Sequence, residues 1–207
     1  VTDLVRAARL QSKGTTLTFP IATFAYWQII SNKRSRISEL KQLSDKMIAV
    51  TRYSATDYLA TLAIDSVHPK YDVYRVQIND VNIRLKMLLN NEMDAVLLSE
   101  PQATRARLEG HVKLMDSRDK NVRLGVFAFR TEALKEPRRK QQLDLFIKAY
   151  NMAVDSINKN GVQHYKNLII KNCGVDARTV DALPKLRYQH AGSPRKHDRN
   201  IANSIKN

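Results

Sequence analysis

The 207 residues are 43% hydrophobic and 27% charged with only 6 Gly and 6 Pro, a globular composition that excludes wholesale disorder, fibrous repeats and small stapled folds. The 35 Lys and Arg against 20 Asp and Glu leave a formal charge of +15, which invites a nucleic-acid reading. That charge is uneven: residues 51–100 carry 5 basic and 7 acidic side chains while both flanks are basic. The clusters Lys33-Arg34-Ser35-Arg36, Arg138-Arg139-Lys140 and Arg195-Lys196 stand beside turn signals instead of interleaving with aromatics. They read as solvated surface, and no nucleic-acid partner is expected.

Taken in chain order, Thr2 and Asp3 precede a Leu4, Val5, Ala8 stripe and read as caps of a first helix. Thr15 to Phe19 reads as extended, and Ile37-Ser38-Glu39-Leu40 as a short helix. The apolar stretch Leu17 to Ile30 is broken by Pro20 and Gln28 and falls short of the roughly 20 residues that cross a bilayer. The sequence opens without a basic-then-apolar leader, so any export signal is expected to lie outside it. Met47 to Thr51 is a compact strand, and Tyr58, Leu59, Leu62 and Ala63 then recur at helical spacing. Ser54, three residues ahead of Asp57, starts that helix in the manner of a capping box.

Val73 to Ile78 reads as a second strand, with Asn79-Asp80 capping a helix through Leu85, Leu88 and Leu89 that stops at Asn90-Asn91. Asp94 to Leu98 is a third strand. Glu100-Pro101 opens a third helix, with Pro in its first turn and Gly110 closing it. Arg123 to Phe129 is a fourth strand. The remainder turns helical: 141–158 with a stripe of Leu145, Ala149, Met152, Ala153 and Ile157, then 162–172, 176–182 and 198–205.

Strands alternating with helices of about ten residues predict an α/β fold with a parallel sheet. In such a sheet the loops 52–56, 79–81 and 99–101 emerge at one edge, each feeding a helix N-terminus that suits an anionic or polar ligand. Thr51 to Asp57 is the strongest binding segment, joining an aromatic face, hydroxyls and a helix start. The alternative is that Ser54 and Thr56 only cap while Tyr53 packs, and that Glu100 only answers a helix dipole.

Catalytic groupings are thin. His68, His111, His164, His190 and His197 show no metal-ligand spacing and read as surface or interfacial residues, Cys173 stands alone, and no Gly-rich phosphate loop exists. Binding without turnover is expected, with no metal, no cofactor and no enzymatic activity.

Ile37-Ser38-Glu39-Leu40, Ile48-Ala49-Val50-Thr51-Arg52-Tyr53-Ser54, Met93 to Pro101 and Gly125-Val126-Phe127-Ala128-Phe129 occur here in an order and spacing that resemble solute-binding proteins of bacterial ABC transporters. The likeness extends to Ala149 to Val154 and to the closing helix after Pro194, and it is nearest the branch that takes sulfonate, taurine, nitrate and thiamine-pyrimidine precursors. The resemblance implies a type II periplasmic-binding-protein fold of two α/β lobes gripping a solute in the cleft between them, here with its first lobe incomplete. Residues 1–20 and 99–207 would be lobe I and 21–98 lobe II. The resemblance further implies ligand contacts at Thr2, Asp3, Thr18, Tyr53, Ser54, Ala55, Thr56 and Glu100. It implies permease and ATPase partners, and a place in the periplasm or at the outer face of the cytoplasmic membrane, with a lipid anchor on a missing N-terminal segment. Two alternatives share the architecture: the effector-sensing part of a gene regulator, and a pyrimidine-precursor enzyme, which would need a cleft histidine or cysteine.

Overall fold

The computed structural model describes residues 1–205. In chain order the elements are β1 (Thr2–Asp3), α1 (Leu4–Ser12), β2 (Leu17–Ala22), β3 (Gln28–Ser31), β4 (Met47–Val50) and α2 (Ala55–Asp65). They continue with β5 (Tyr74–Gln77), α3 (Val81–Leu89), β6 (Ala95–Leu98), α4 (Gln102–Leu108), β7 (Val112–Asp116) and β8 (Gly125–Arg130). Four helices follow: α5 (Pro137–Asn160), α6 (Lys166–Cys173), α7 (Ala177–Asp181) and α8 (Lys196–Ser204). Over the described residues the chain divides into two compact units: unit 1 comprises 1–25, 123–165 and 184–205, and unit 2 comprises 26–122 and 166–183.

Unit 2 is built on a five-stranded sheet of order β5-β4-β6-β3-β7. β4 runs parallel to both β5 and β6, while β3 runs antiparallel to β6 and to β7. Strands β3 and β6 are buried at every position, as expected where both faces of a sheet are covered. On one face Ile29, Ile48, Val50 and Leu97 pack with Leu59, Ala60 and Ala63 of α2. On the other, Ile30, Ala49, Val96 and Leu98 pack with Leu85 and Leu88 of α3 and Ala103 and Ala106 of α4. α6 and α7 are tied to α4: Gln102 donates to the Cys173 carbonyl at 3.0 Å and Arg105 pairs with Asp176.

Unit 1 carries a three-stranded antiparallel sheet of order β1-β8-β2. The register of β2 on β8 shifts between Thr18 and Ile21, where Pro20 has no N–H to offer the ladder. At the start of β8, a Cβ on Gly125 would lie 2.2 Å from Thr23 Oγ1, so only glycine lets these segments approach. Asp198 of α8, 1% exposed, accepts from Arg195 Nε at 2.6 Å and from the Arg123 amide at 3.1 Å, fixing α8 to the chain just before β8.

Several expectations need correction. The strand at 123–129 does not end the parallel alternation; as β8 it belongs to the antiparallel sheet of unit 1. β3 and β7 were not foreseen, because β3 sits inside a longer apolar stretch and β7, with Lys113 and Asp116 in five residues, has a weak pattern. The unit boundaries also differ from the expected lobes. Pairing of β7 with β3 and the α4 contacts carry 99–122 and 166–183 into unit 2, where the resemblance put them with residues 1–20. Residues 206 and 207 of that expected lobe lie outside the described residues.

The short helix expected at 37–40 is instead a 3-10 turn at Leu40–Leu43, started by a Glu39/Gln42 capping box. Pro101 is the N-cap of α4, one step ahead of its first turn. The stripe predicted for α5 faces outward, with Leu145 61% and Met152 63% exposed. The inward face carries Val154, which is buried, and the half-buried Tyr150, whose ring lies 5.9 Å from Phe127 of β8.

Candidate functional site

Because β5, β4 and β6 are parallel neighbours, the turns that follow them share the carboxyl edge of the unit 2 sheet. β7 points the same way, since both it and β6 are antiparallel to β3. The loop after β7 and the start of β3 therefore join the same edge.

The turn after β4 is braced from within. Thr51 N–H donates to Thr56 Oγ1 at 2.9 Å, Ser54 Oγ donates to the Thr51 carbonyl at 2.6 Å, and Thr56 N–H donates to Ser54 Oγ at 3.1 Å. Asp57 completes the cap by accepting from Tyr53 N–H at 2.8 Å, with Arg52 at 3.4 Å and Arg75 at 3.5 Å on its carboxylate. These bonds hold Tyr53 in the left-handed region at φ 58, a conformation rare for a bulky residue and sustained only when neighbours dictate it. The strained backbone presents the Tyr53 ring outward, 46% exposed, while Ser54, Ala55 and Thr56 are buried.

Glu100, after β6, is engaged on both oxygens. Oε1 accepts from Arg107 Nη2 at 3.0 Å and from Tyr26 Oη at 3.3 Å, and Oε2 accepts from Thr104 N–H at 2.9 Å, inside the first turn of α4. The bonds continue around a ring: Arg107 donates to Gln28 Oε1, Gln28 Nε2 donates to Asp116 Oδ2 at 3.0 Å, and Arg118 Nη2 donates to the same oxygen at 2.7 Å. The Arg118 guanidinium returns over the Tyr26 ring at 3.9 Å. Burial, joined by the negative Glu100, pushes the Tyr26 hydroxyl well above its ordinary range. Burial works to raise Asp116 as well, but hydrogen bonds from Arg118 and Gln28 prevail and hold its carboxyl below the usual value.

Beneath the edge lies Arg84 of α3, 4% exposed. Its Nε donates to the Leu97 carbonyl at 2.8 Å, and its Nη1 donates to the Ile78 carbonyl at 2.6 Å and to Thr51 Oγ1 at 3.1 Å. It thus touches the ends of β6, β5 and β4 together. Desolvation pushes its guanidinium down to about 10, against the raising influence of Asp80.

Of the residues expected at the site, Tyr53, Ser54, Ala55, Thr56 and Glu100 come to one sheet edge of unit 2. The three expected in unit 1 do not converge. Asp3 is 8% exposed and caps α1 by accepting from Arg6 N–H at 3.0 Å. Thr2 pairs with Val126, whereas Thr18 pairs with Phe129, three residues along β8, and its hydroxyl meets that of Thr131 at 2.9 Å. Thr18 lines a groove of about 640 Å³ with Leu4, Ala8, Gln11 and Arg199.

Sequence reasoning missed Tyr26, Gln28, Arg84, Arg107, Asp116 and Arg118. A buried arginine on a helix carries no local signature, and the ring depends on β3 and β7, which were not foreseen. One histidine also departs from expectation. His111 is 5% exposed, its Nδ1 accepting from Lys33 N–H at 3.3 Å, and burial, aided by Lys33, lowers its imidazole below the ordinary value. Among the described residues no group of three or more His, Cys, Asp or Glu converges as a metal site would require, and no helix is long and apolar enough to cross a membrane.

No protein-family model matches the chain, and no curated protein matches it by sequence. Solved structures do. The periplasmic aliphatic sulphonate binding protein SsuA of Escherichia coli superposes with a TM-score of 0.73 at 16% identity, covering 97% of this chain and 69% of its own. The fold is that of the periplasmic solute-binding proteins. The alkanesulfonate-binding protein SsuA of Xanthomonas axonopodis pv. citri, bound to MOPS, gives 0.74 at 16% identity over 97% of this chain and 70% of its own. The periplasmic nitrate-binding protein NrtA of Synechocystis gives 0.66 at 12% identity over 85% and 50%. All three are described as binding proteins, and this chain shares their α/β architecture.

Proposed function

We propose that this chain is the substrate-binding component of an ABC importer, capturing a small anionic or heterocyclic solute and delivering it to a membrane permease driven by an ATPase. The observation that carries this reading is the carboxyl edge of the unit 2 sheet. There, the ends of four strands that point one way meet helix starts, an outward tyrosine and partly exposed arginines, on a fold shared with sulphonate- and nitrate-binding proteins.

In this reading Tyr53 meets the solute, while Ser54, Ala55 and Thr56 shape the turn behind it. Glu100 acts through its hold on Tyr26 and Arg107. In unit 1, Thr2, Asp3 and Thr18 are the proposed contacts. The place of action is the periplasm or the outer face of the cytoplasmic membrane, with a lipid anchor as one means of retention, and the role is capture without chemical conversion of the solute.

A thermal-shift and calorimetry panel of MOPS, ethanesulfonate, taurine, nitrate and pyrimidine precursors tests the reading. A saturable upward shift with at least one solute, reduced by Tyr53→Ala and again by Thr18→Ala, is the expected outcome. Silence from the whole panel would count against solute capture. Turnover of a stabilising solute would refute the binding-only role.

A further inference from the structure

Six partly exposed arginines near the buried polar groups of the two units each meet a carboxylate. Arg118 pairs with Asp116, Arg107 with Glu100, Arg105 with Asp176 and Glu109, Arg195 with Asp198, and Arg52 and Arg75 share Asp57. Arg84, more buried than any of these at 4% exposure, meets none; its described partners are the carbonyls of Leu97, Ile78 and Asn79 and the hydroxyl of Thr51, all neutral. Asp80, the N-cap of the same helix, acts on Arg84 through space but is not ion-paired with it, its carboxylate accepting from the amides of Asn82 at 2.7 Å and Ile83 at 3.1 Å.

A buried charge without an ionic partner is costly, and hydrogen bonds to three carbonyls and a hydroxyl offset only part of that cost. Hydrogen bonding alone explains why the strand-end carbonyls want a donor, but not why that donor carries a net charge. Such a charge is poorly screened by salt and is felt at the turns it touches. One of them, at Thr51, lies two residues before the outward Tyr53.

We propose that Arg84 is a positioning residue for the solute site of unit 2: it ties together the turns after β4, β5 and the end of β6, and its charge, held in no described ion pair, biases that edge toward the negative part of a solute. The inference rests on the solute-binding reading, and two arms of one experiment separate them.

The first arm needs no solute. In a Cys173→Ser background, Tyr53→Cys places a thiol on the turn, and its ionisation is followed by thiolate absorbance against pH. With Arg84 present the thiol is expected below its ordinary value, and to stay there both in about 0.5 M salt and when the half-buried Arg52 is replaced by Gln, as a buried source requires. Arg84→Met or Arg84→Gln should raise it by about half a unit or more, whereas Arg84→Lys should leave it within about 0.2 unit. A thiol that is not lowered in the Arg84 protein, that returns to its ordinary value in salt, or that is unchanged in a folded neutral variant overturns the inference. The salt series keeps it falsifiable should neither neutral variant fold.

The second arm titrates MOPS, nitrate and a neutral heterocycle against the Arg84 variants on the otherwise unaltered chain. Anion binding is expected to weaken at least about tenfold in Arg84→Met and to be rescued by Arg84→Lys, with neutral binding changed less than about twofold. Equal weakening of anionic and neutral solutes would overturn the charge role. If no solute binds the unaltered chain, the solute reading fails and the thiol arm alone decides Arg84.

Discussion

Unit 2 covers both faces of a five-stranded sheet with helices, and its 18 basic side chains are balanced by 14 acidic ones. Unit 1, over its described residues, has three strands, 16 basic side chains against 6 acidic, and a 24-residue helix that turns Leu145 and Met152 to solvent. The chain's positive charge is therefore mostly a property of unit 1. The polar organisation that suits a ligand, a strained tyrosine, a ring of paired groups and a buried arginine, is a property of unit 2. Net charge and polar organisation thus point to different units of this chain. The solute reading proposed above rests on the arrangement of a few partly buried groups, not on net charge.

The comparison is sharpened most by removing core from the fully covered sheet. Leu88, fully buried between α3 and the unit 2 sheet, should cost about 3 kcal/mol on Leu88→Ala, read by chemical denaturation. A loss under about 1 kcal/mol would mean that this face is loosely packed. In unit 1 the most sensitive backbone position is Gly125. The Cβ of Gly125→Ala would meet Thr23 Oγ1 at 2.2 Å, and a loss of about 2 kcal/mol is expected as the strand or its neighbour shifts.

At the candidate site, Ser54→Ala removes the N-cap acceptor of α2 and should cost about 1 kcal/mol, with faster amide exchange confined to the turn after β4. Acid should also act on unit 2 through His111, whose folded value is depressed by burial and by Lys33, with the Ser31 backbone hydrogen bond and Glu109 opposing. Its contribution to stability is fully present above the ordinary histidine value of about 6.5 and is lost as the pH falls from there through the folded value. His111→Gln should flatten that part of a stability-against-pH curve. The smallest effect is expected where the two units differ most visibly. Leu145→Gln and Met152→Gln, on the outward face of α5, should each change stability by less than about 0.5 kcal/mol. A larger loss would show that this face is covered in solution.

Much of unit 2 was legible in the sequence because its signals are local. Met47 to Val50 and Ala95 to Leu98 are short apolar runs bounded by turn residues, and Ser54, Asp80 and Asn90 mark helix ends by the chemistry of their own side chains. The edge that gathers 52–56, 79–81 and 99–101 followed from strand direction alone. Two kinds of feature escaped. The outward stripe of α5 misled because both of its faces carry apolar residues, so periodicity could not say which face meets the sheet. Strand β8 misled because an apolar run names a strand without naming its partners.

What the sequence by itself determined is the set of elements around residues 47–108, their caps and their shared edge, since each depends on neighbours within a few positions along the chain. What only the tertiary structure decided is which sheet β8 joins, and that β3 and β7 lie beside β6. It also decided that Glu100, Tyr26, Gln28, Asp116, Arg107 and Arg118 close into one ring, and that Arg84 is buried against strand-end carbonyls with no ion pair among the described residues. Those facts rest on contacts between residues distant along the chain, from Ser31 with Ala95 to Thr2 with Val126, and side-chain chemistry at one position carries no record of what the fold will bring to meet it.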